Sequence, residues 1–524
     1  MFLPARLLLA VLFTCFGALF LFSRFHHVLL VATAAAYDEV RTQDLPPGPR
    51  SDYHVRIAAA ETPVPDLPPP DVSRFTTDGI STLAPAARPG TVVISPMRLY
   101  PELGAFIKKN GDIQRLRLTQ GRTSPRAIVI TEGSYDFTQL FQAVTALAPQ
   151  EQAFRKEGDV YTLRLPLLIA AKASLTISSR DLKELRLSRE RGVFIATAGD
   201  LFILRAKVTG WSETQAAPGM FSRDSAFRPF VTAWSGARLY IAGSVLSNLG
   251  YDSGGAQGVV YAACHDCLKK NPALSRPSGA VVESVFADMY QGLQVQEADD
   301  LVIVRNRYTN SALAGIRLQD GARRMIIADN EVYGSRRSPG ISLSRDVSDS
   351  WILRNNSHDN GGAGIALERA GARNFIVGNV VTRNKGDGIS LCESSGNTTR
   401  GNVIFGNSQS GMRIRNSADI RSSRDYIVDN ASVPVLLYAS QRDAAVSLPR
   451  SSAVLAGSVI RPRGHREAVK VDKADRLVLS DVNILSGSSV FSDGITDDNT
   501  KISAALGNPR AQVILNSGIS KTTD

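Results

Sequence analysis

The chain has 524 residues, 43% of them hydrophobic and 21% charged, a balance that excludes wholesale disorder and low-complexity polymer. Lysine and arginine total 60 against 49 acidic residues, and the net charge of +11 favours an acidic partner: nucleic acid, an anionic polysaccharide or a membrane surface. Four cysteines are too few for a disulfide scaffold, and six histidines leave few imidazoles for catalysis.

Residues 1–36 read as an export segment, either a signal peptide or a membrane anchor. Arg6 precedes an apolar run from Leu7 to Phe22, and a second apolar piece, Val28 to Ala36, ends in small residues suited to cleavage before Tyr37. An uncleaved anchor is the alternative, because the two pieces together are long enough to cross a bilayer. Either way, residue 37 onward lies outside the cytoplasm. Residues 37–79 are rich in proline and read as an extended linker that buries little. Residues 80–195 read as a mixed N-terminal region and cap, with a helix near Phe137 to Ala148. Residues 441–524 read as terminal coils and a second cap.

Between them, residues 196–440 carry an internal repeat. Glycine followed by an apolar residue recurs at Gly315, Gly340, Gly364, Gly388 and Gly411, spaced 25, 24, 24 and 23 residues apart. Asn306, Asn330, Asn355, Asn379 and Asn402 hold the same period. The units alternate with period two, as in Gly340 to Arg345 (GISLSR), so Ile and Leu face inward while Ser and Arg face outward. About 24 residues per turn suits three short strands and three turns, the coil of a parallel β-helix. The fold class is therefore all-β, and the asparagines read as a structural ladder at one turn.

Stacked coils place equivalent residues in rows about 4.8 Å apart. Aligned on the glycines, a first outward row is Arg317, Ser342, Ala366, Ser390 and Arg413. A second is Gln319, Ser344, Glu368, Cys392 and Arg415. A third is Asp320, Arg345, Arg369, Glu393 and Asn416. This face mixes arginines with carboxylates and reads as a polymer-binding groove. Nucleic acid is disfavoured as the polymer, because the rows lack aromatic platforms for base stacking. Cys264 and Cys267 flank His265 in a CHDC run, which reads as a local disulfide or two idle thiols rather than a metal site, since no second cysteine pair accompanies it. His358 sits beside the asparagine row and reads as a structural hydrogen-bonding group. The sequence calls for no cofactor.

Several stretches resemble the periplasmic mannuronan C5-epimerase family of alginate biosynthesis. They are Leu185 to Phe194 (LRLSRERGVF), Val208 to Glu213 (VTGWSE), Phe227 to Phe230 (FRPF), Trp234 to Gly236 (WSG), Ser344 to Ser350 (SRDVSDS) and Arg354 to Asn360 (RNNSHDN). The resemblance runs from about residue 80 to the C-terminus. It implies a right-handed β-helix, a periplasmic location, conversion of mannuronate to guluronate within a polymer, and partners in a polysaccharide secretion complex. It further implies a catalytic Asp-Pro-His-Asp motif, with the His as base, and an Arg one coil later that neutralises the substrate carboxylate. Here the motif position reads Arg317, Leu318, Gln319 and Asp320, so only the last residue matches, while Arg345 stands at the position of the neutralising Arg. Catalytic roles accordingly fall to Arg345 and Asp320, with Gln319 at the place of the base. Arg317, Ser344, Glu368, Arg369, Glu393, Arg413 and Arg415 are the substrate-binding candidates. His265, on a loop from Tyr251 to Pro277, and Glu297, Glu368 or Asp320 are possible substitutes for the base. Two other functions remain open at this level: a polysaccharide-binding scaffold without catalysis, and a lyase.

Overall fold

The computed structural model describes residues 40, 42–48, 52–61, 67–97, 112–222, 227–234, 236–271, 273–440, 448–464, 467–485, 489–491, 495–496 and 498–518. The export segment, residues 1–36, lies outside them. No helix among the described residues is long and apolar enough to cross a membrane.

The strands stack into three parallel sheets that wind as a right-handed β-helix. One coil shows the pattern: Ile316–Gln319 belongs to the first sheet, Ile326–Ala328 to the second and Glu331–Tyr333 to the third. Each strand pairs in parallel with its equivalent one coil later, at Ile341–Ser344, Trp351–Leu353 and Asn356–His358. Alternation then decides the core. Ile316, Leu318, Ile341, Leu343, Ile365, Leu367, Ile389 and Leu391 are fully buried and form part of one continuous apolar column.

The repeated glycine has a steric cause. A Cβ at Gly364 would lie 2.2 Å from Val381 Cγ1, and one at Gly388 would lie 2.2 Å from Ile404 Cγ2. The asparagines form the ladder their spacing suggests. Asn330 Nδ2 donates to Asn355 Oδ1 at 2.9 Å, Asn355 Nδ2 to Asn379 Oδ1 at 3.0 Å, and Asn379 Nδ2 to Asn402 Oδ1 at 2.9 Å. Buried Asp425 ends the row, accepting from both the backbone N and Nδ2 of Asn402 at 2.8 Å. A second ladder, unnoticed in the sequence, links Asn360, Asn384, Asn407 and Asn430 at 2.9 Å per step. Each rung satisfies buried backbone groups at a tight corner, which fixes the register of the neighbouring strands.

Two domain expectations need correction. The parallel stack begins well before residue 196: Arg126–Asp136 already pairs in parallel with Leu167–Ser178, and the latter with Asp200–Leu204. The proline-rich segment is also no free linker. Its Gln43–Leu45 pairs antiparallel with Tyr53–Ala59, which pairs antiparallel with Ala511–Ser517 at the C-terminal end. Tyr53, Val55 and Ile57 bury their alternate side chains in the core there. Further along, Thr77–Ser81 forms a short helix held to the coil wall, where the Thr77 backbone N and hydroxyl both donate to Glu283, at 2.9 and 2.7 Å. At the other end, the helix Phe137–Leu147 starts in a capping box of Asp136 and Gln139 and buries Phe137, Leu140 and Val144. Both ends of the solenoid core thus carry added elements that bury apolar side chains against it.

Candidate functional site

The strand register aligns the three outward rows as spaced in the sequence. Arg317 lies beside Ser342, Ser342 beside Ala366, Ala366 beside Ser390, and Ser390 beside Arg413; Gln319, Ser344, Glu368, Cys392 and Arg415 align likewise. The third row shares one backbone conformation. Glu297, Asp320, Arg345, Arg369, Glu393 and Asn416 all adopt left-handed conformations, with φ between 48° and 55°. Each sits at the corner after a strand of the first sheet, where the chain turns.

Arg345 grips Asp320 one coil earlier. Its Nε donates to Asp320 Oδ1, and its Nη2 donates to Oδ2 at 2.9 Å. This hydrogen bonding holds the guanidinium pKa above the ordinary arginine value. Further down the groove, Arg415 Nη2 donates to Glu393 at 3.0 Å, and Arg413 Nε lies 2.9 Å from Asp387. Burial pushes the Asp387 carboxyl up despite Arg413, so desolvation outweighs the ion pair for the acid. Arg369 and Glu368 are exposed on the rim.

Gln319, at the place expected for a base, is buried, and its Nε2 donates to Gln296 Oε1 one coil earlier at 3.4 Å. An amide so placed has no proton-accepting function at neutral pH. Arg317 is half-buried. Burial, and then the neighbouring Arg345, lower its pKa from the ordinary arginine value.

The expected loop from Tyr251 to Pro277 is interrupted by Gly258–Ala262, a regular strand of the first sheet, and the insertions on either side of that strand flank the groove. Arg276 Nη1 lies 3.0 Å from Glu297 and donates to the Gly321 carbonyl at 3.1 Å. Glu297, a proposed substitute base, is therefore engaged in an ion pair. Tyr290 is hydrogen-bonded to Asp252 of the first insertion. Burial, and then Asp252, push its pKa up to about 12 against opposing Arg317 and Arg337. Tyr251 anchors that insertion by packing on Phe227 and Phe230, with centroids at 5.3 and 6.3 Å. Cys264 is disulfide-bonded. The side chains of His265 and Cys267 lie outside the described residues, and the short helix His265–Lys270 carries both positions. Among the described residues, no three His, Cys, Asp or Glu side chains gather as a metal site.

His358 lies on the third sheet, away from the groove rows. It stacks on Tyr333 at 5.1 Å, and its Nδ1 is 2.6 Å from Asp359. Sequence reasoning missed Gln291, Gln294, Gln296, Asp387 and Tyr290. The first four were legible, because the rows extend one coil back to Gln294 and Gln296, and Gln291 and Asp387 both immediately precede a row glycine. Tyr290 meets Asp252 only through the insertion, which has no periodic signal.

Comparison with known proteins follows the same architecture. Residues 247–448 match the model of a right-handed beta helix region. The mannuronan C5-epimerase AlgG of Azotobacter vinelandii is 36% identical over 411 residues, covering 78% of this chain and 76% of the relative. The mannuronan C5-epimerase of Pseudomonas putida is 34% identical over 367 residues, covering 70% and 69%. The crystal structure of the periplasmic alginate epimerase AlgG superposes with a TM-score of 0.76 at 30% identity, covering 81% of this chain and all of that one.

Proposed function

The chain belongs to the mannuronan C5-epimerase family, and from that premise we propose that it acts in the periplasm on an acidic, uronate-containing exopolysaccharide of the alginate type. The observation that carries this reading is the groove: three aligned rows along five coils, with arginines at Arg317, Arg345, Arg369, Arg413 and Arg415. Such a surface suits a long anionic chain laid along the solenoid axis.

The proposed reaction removes the C5 proton of a uronate and returns a proton on the opposite face. Negative charge develops next to the sugar carboxylate, and a nearby guanidinium stabilises it. Arg345 suits this role: Asp320 engages its Nε and Nη2, which leaves the Nη1 hydrogens for a substrate carboxylate. Asp320 in turn holds the guanidinium in place. Residue 319 cannot be the base, and both oxygens of Asp320 are held by Arg345, so proton removal falls to the exposed row carboxylate Glu368. Tyr290 holds its proton too tightly for efficient transfer, with a pKa pushed up to about 12, so the proton returned on the opposite face comes from solvent. A second reading, binding without turnover within a secretion complex, is favoured by one observation, the buried amide of Gln319 at the motif position.

The test is titration of the purified protein with polymannuronate and with a neutral mannan at several salt concentrations, while absorbance from unsaturated sugar ends is followed. The expected result is binding of polymannuronate alone, weakening as salt rises, with no new absorbance. Growth of that absorbance would identify a lyase instead. Equal binding of the neutral polymer would remove the anionic-groove assignment.

A further inference from the structure

The solenoid repeats one geometric slot at every coil, so the chain contains its own comparison for Arg317. Four coils later in the same row stands Arg413. Arg413 is satisfied by the coil before it: Asp387 Oδ2 is 2.9 Å away, and Ser390 Oγ accepts from Nε and Nη2 at 3.2 and 3.0 Å. Gln291 and Gln294 occupy the equivalent positions before Arg317, on either side of Gly292 and Leu293. Where Arg413 finds a carboxylate and a hydroxyl, Arg317 faces two amides.

The consequence is a set of unsatisfied groups. Arg317 Nε has no hydrogen-bond partner, nor do Oε1 and Nε2 of Gln291, Oε1 of Gln294 or Oγ of Ser344. Gln291, Gln294 and Ser344 are 0%, 2% and 6% exposed. Gln294 lies beside Arg317 on the coil before it, and Ser344 lies on the coil after it in the neighbouring row, so the orphaned atoms fall on three consecutive coils. Buried polar atoms in native proteins are overwhelmingly paired, and an unpaired half-buried guanidinium is costly. Glu368 and Asp320 act on Arg317 only through space, and Asp320 is held by Arg345.

We propose that Arg317 is a recognition position for one uronate of the polymer, whose carboxylate pairs with the guanidinium that the buried amides of Gln291 and Gln294 leave without a carboxylate or hydroxyl partner. Arg317 is then a specificity-determining residue, one coil before Arg345, and the groove grips two carboxylates at successive coils. This rests on the polyuronate reading given above. It assigns the altered motif a positive role: a charge that holds substrate, in place of a carboxylate.

The experiment is calorimetric titration of the full protein with a mannuronate hexamer, using Arg317→Gln, Arg317→Lys and Gln291→Asp, with Arg307→Gln on the third sheet as control. Arg317→Gln is expected to weaken binding about tenfold or more and to reduce its salt dependence, because one charge-assisted contact is lost. Arg317→Lys is expected to fall between, keeping the charge without the planar fork. Gln291→Asp copies the Asp387–Arg413 pairing, so it should raise or preserve the melting temperature while weakening binding about tenfold. That variant keeps the proposal open to refutation even if Arg317→Gln does not fold. Wild-type affinity in both Arg317→Gln and Gln291→Asp would overturn the proposal and leave the polyuronate reading standing. A wild-type protein that does not bind the hexamer would remove the polyuronate reading itself.

Discussion

Asn355→Ala tests the ladder that sets the groove register. Asn355 is fully buried. Its Nδ2 donates to the Ile327 carbonyl at 2.9 Å and to Asn379 at 3.0 Å, and its Oδ1 accepts from the backbone N and Nδ2 of Asn330 at 3.0 and 2.9 Å. Alanine removes all four bonds and strands the Asn330 backbone N–H in a dry corner. An unsatisfied buried donor or acceptor costs roughly 1–3 kcal/mol, and partial relaxation limits the sum, so a loss of about 3–5 kcal/mol is expected. Asn356→Ala, one residue on and partly exposed, should stay within about 0.5 kcal/mol. Urea unfolding measures the difference, and hydrogen exchange at the Asn330 amide locates it, since damage in a solenoid is felt first by adjacent repeats. A loss below about 1 kcal/mol with the Asn330 amide still protected would refute the reasoning.

Three further outcomes follow. Arg345→Ala should weaken polymannuronate binding and flatten its salt dependence; unchanged affinity on both counts would remove Arg345 from the groove. Asp425 is fully buried, and desolvation raises its pKa against hydrogen bonds from Thr399, Ser422 and Asn402. Its contribution to stability is therefore present below the ordinary carboxylate range, near about 4, and is lost as pH rises through the folded-state pKa. Asp425→Asn removes that dependence, so unfolding titrations should show the variant gaining on wild type as pH rises above about 4, whereas a constant difference would exclude a buried titrating carboxyl. Cys264→Ser should leave binding and turnover intact, and a loss reversed by added zinc would return the cysteine motif to metal chemistry.

The repeat and the rows were legible because the central coils vary by only a residue or two, so equal spacing along the chain becomes adjacency along the axis. The same arithmetic fails toward the N-terminus. There the register partners Ser174, Asp200, Arg238 and Ser278 are 26, 38 and 40 residues apart, because insertions separate the coils. The strap at Tyr53–Ala59 was hidden for another reason. The prolines around it read as a linker, and the partner that makes Tyr53, Val55 and Ile57 a buried strand face, Ala511–Ser517, is more than 450 residues away. At the site, residue identities were legible while engagements were not. Spacing placed Arg345 one coil beyond Asp320, but it could not show that the two are locked together, or that Arg413 has a partner where Arg317 has none.

The central claim is C5 chemistry on a bound polyuronate. The most direct measurement is incubation of the purified protein with polymannuronate in deuterated water, read by proton NMR. The account predicts loss of C5 proton signal through exchange, with guluronate resonances growing in. Polymer that binds in the groove and emerges with every C5 proton retained would contradict it.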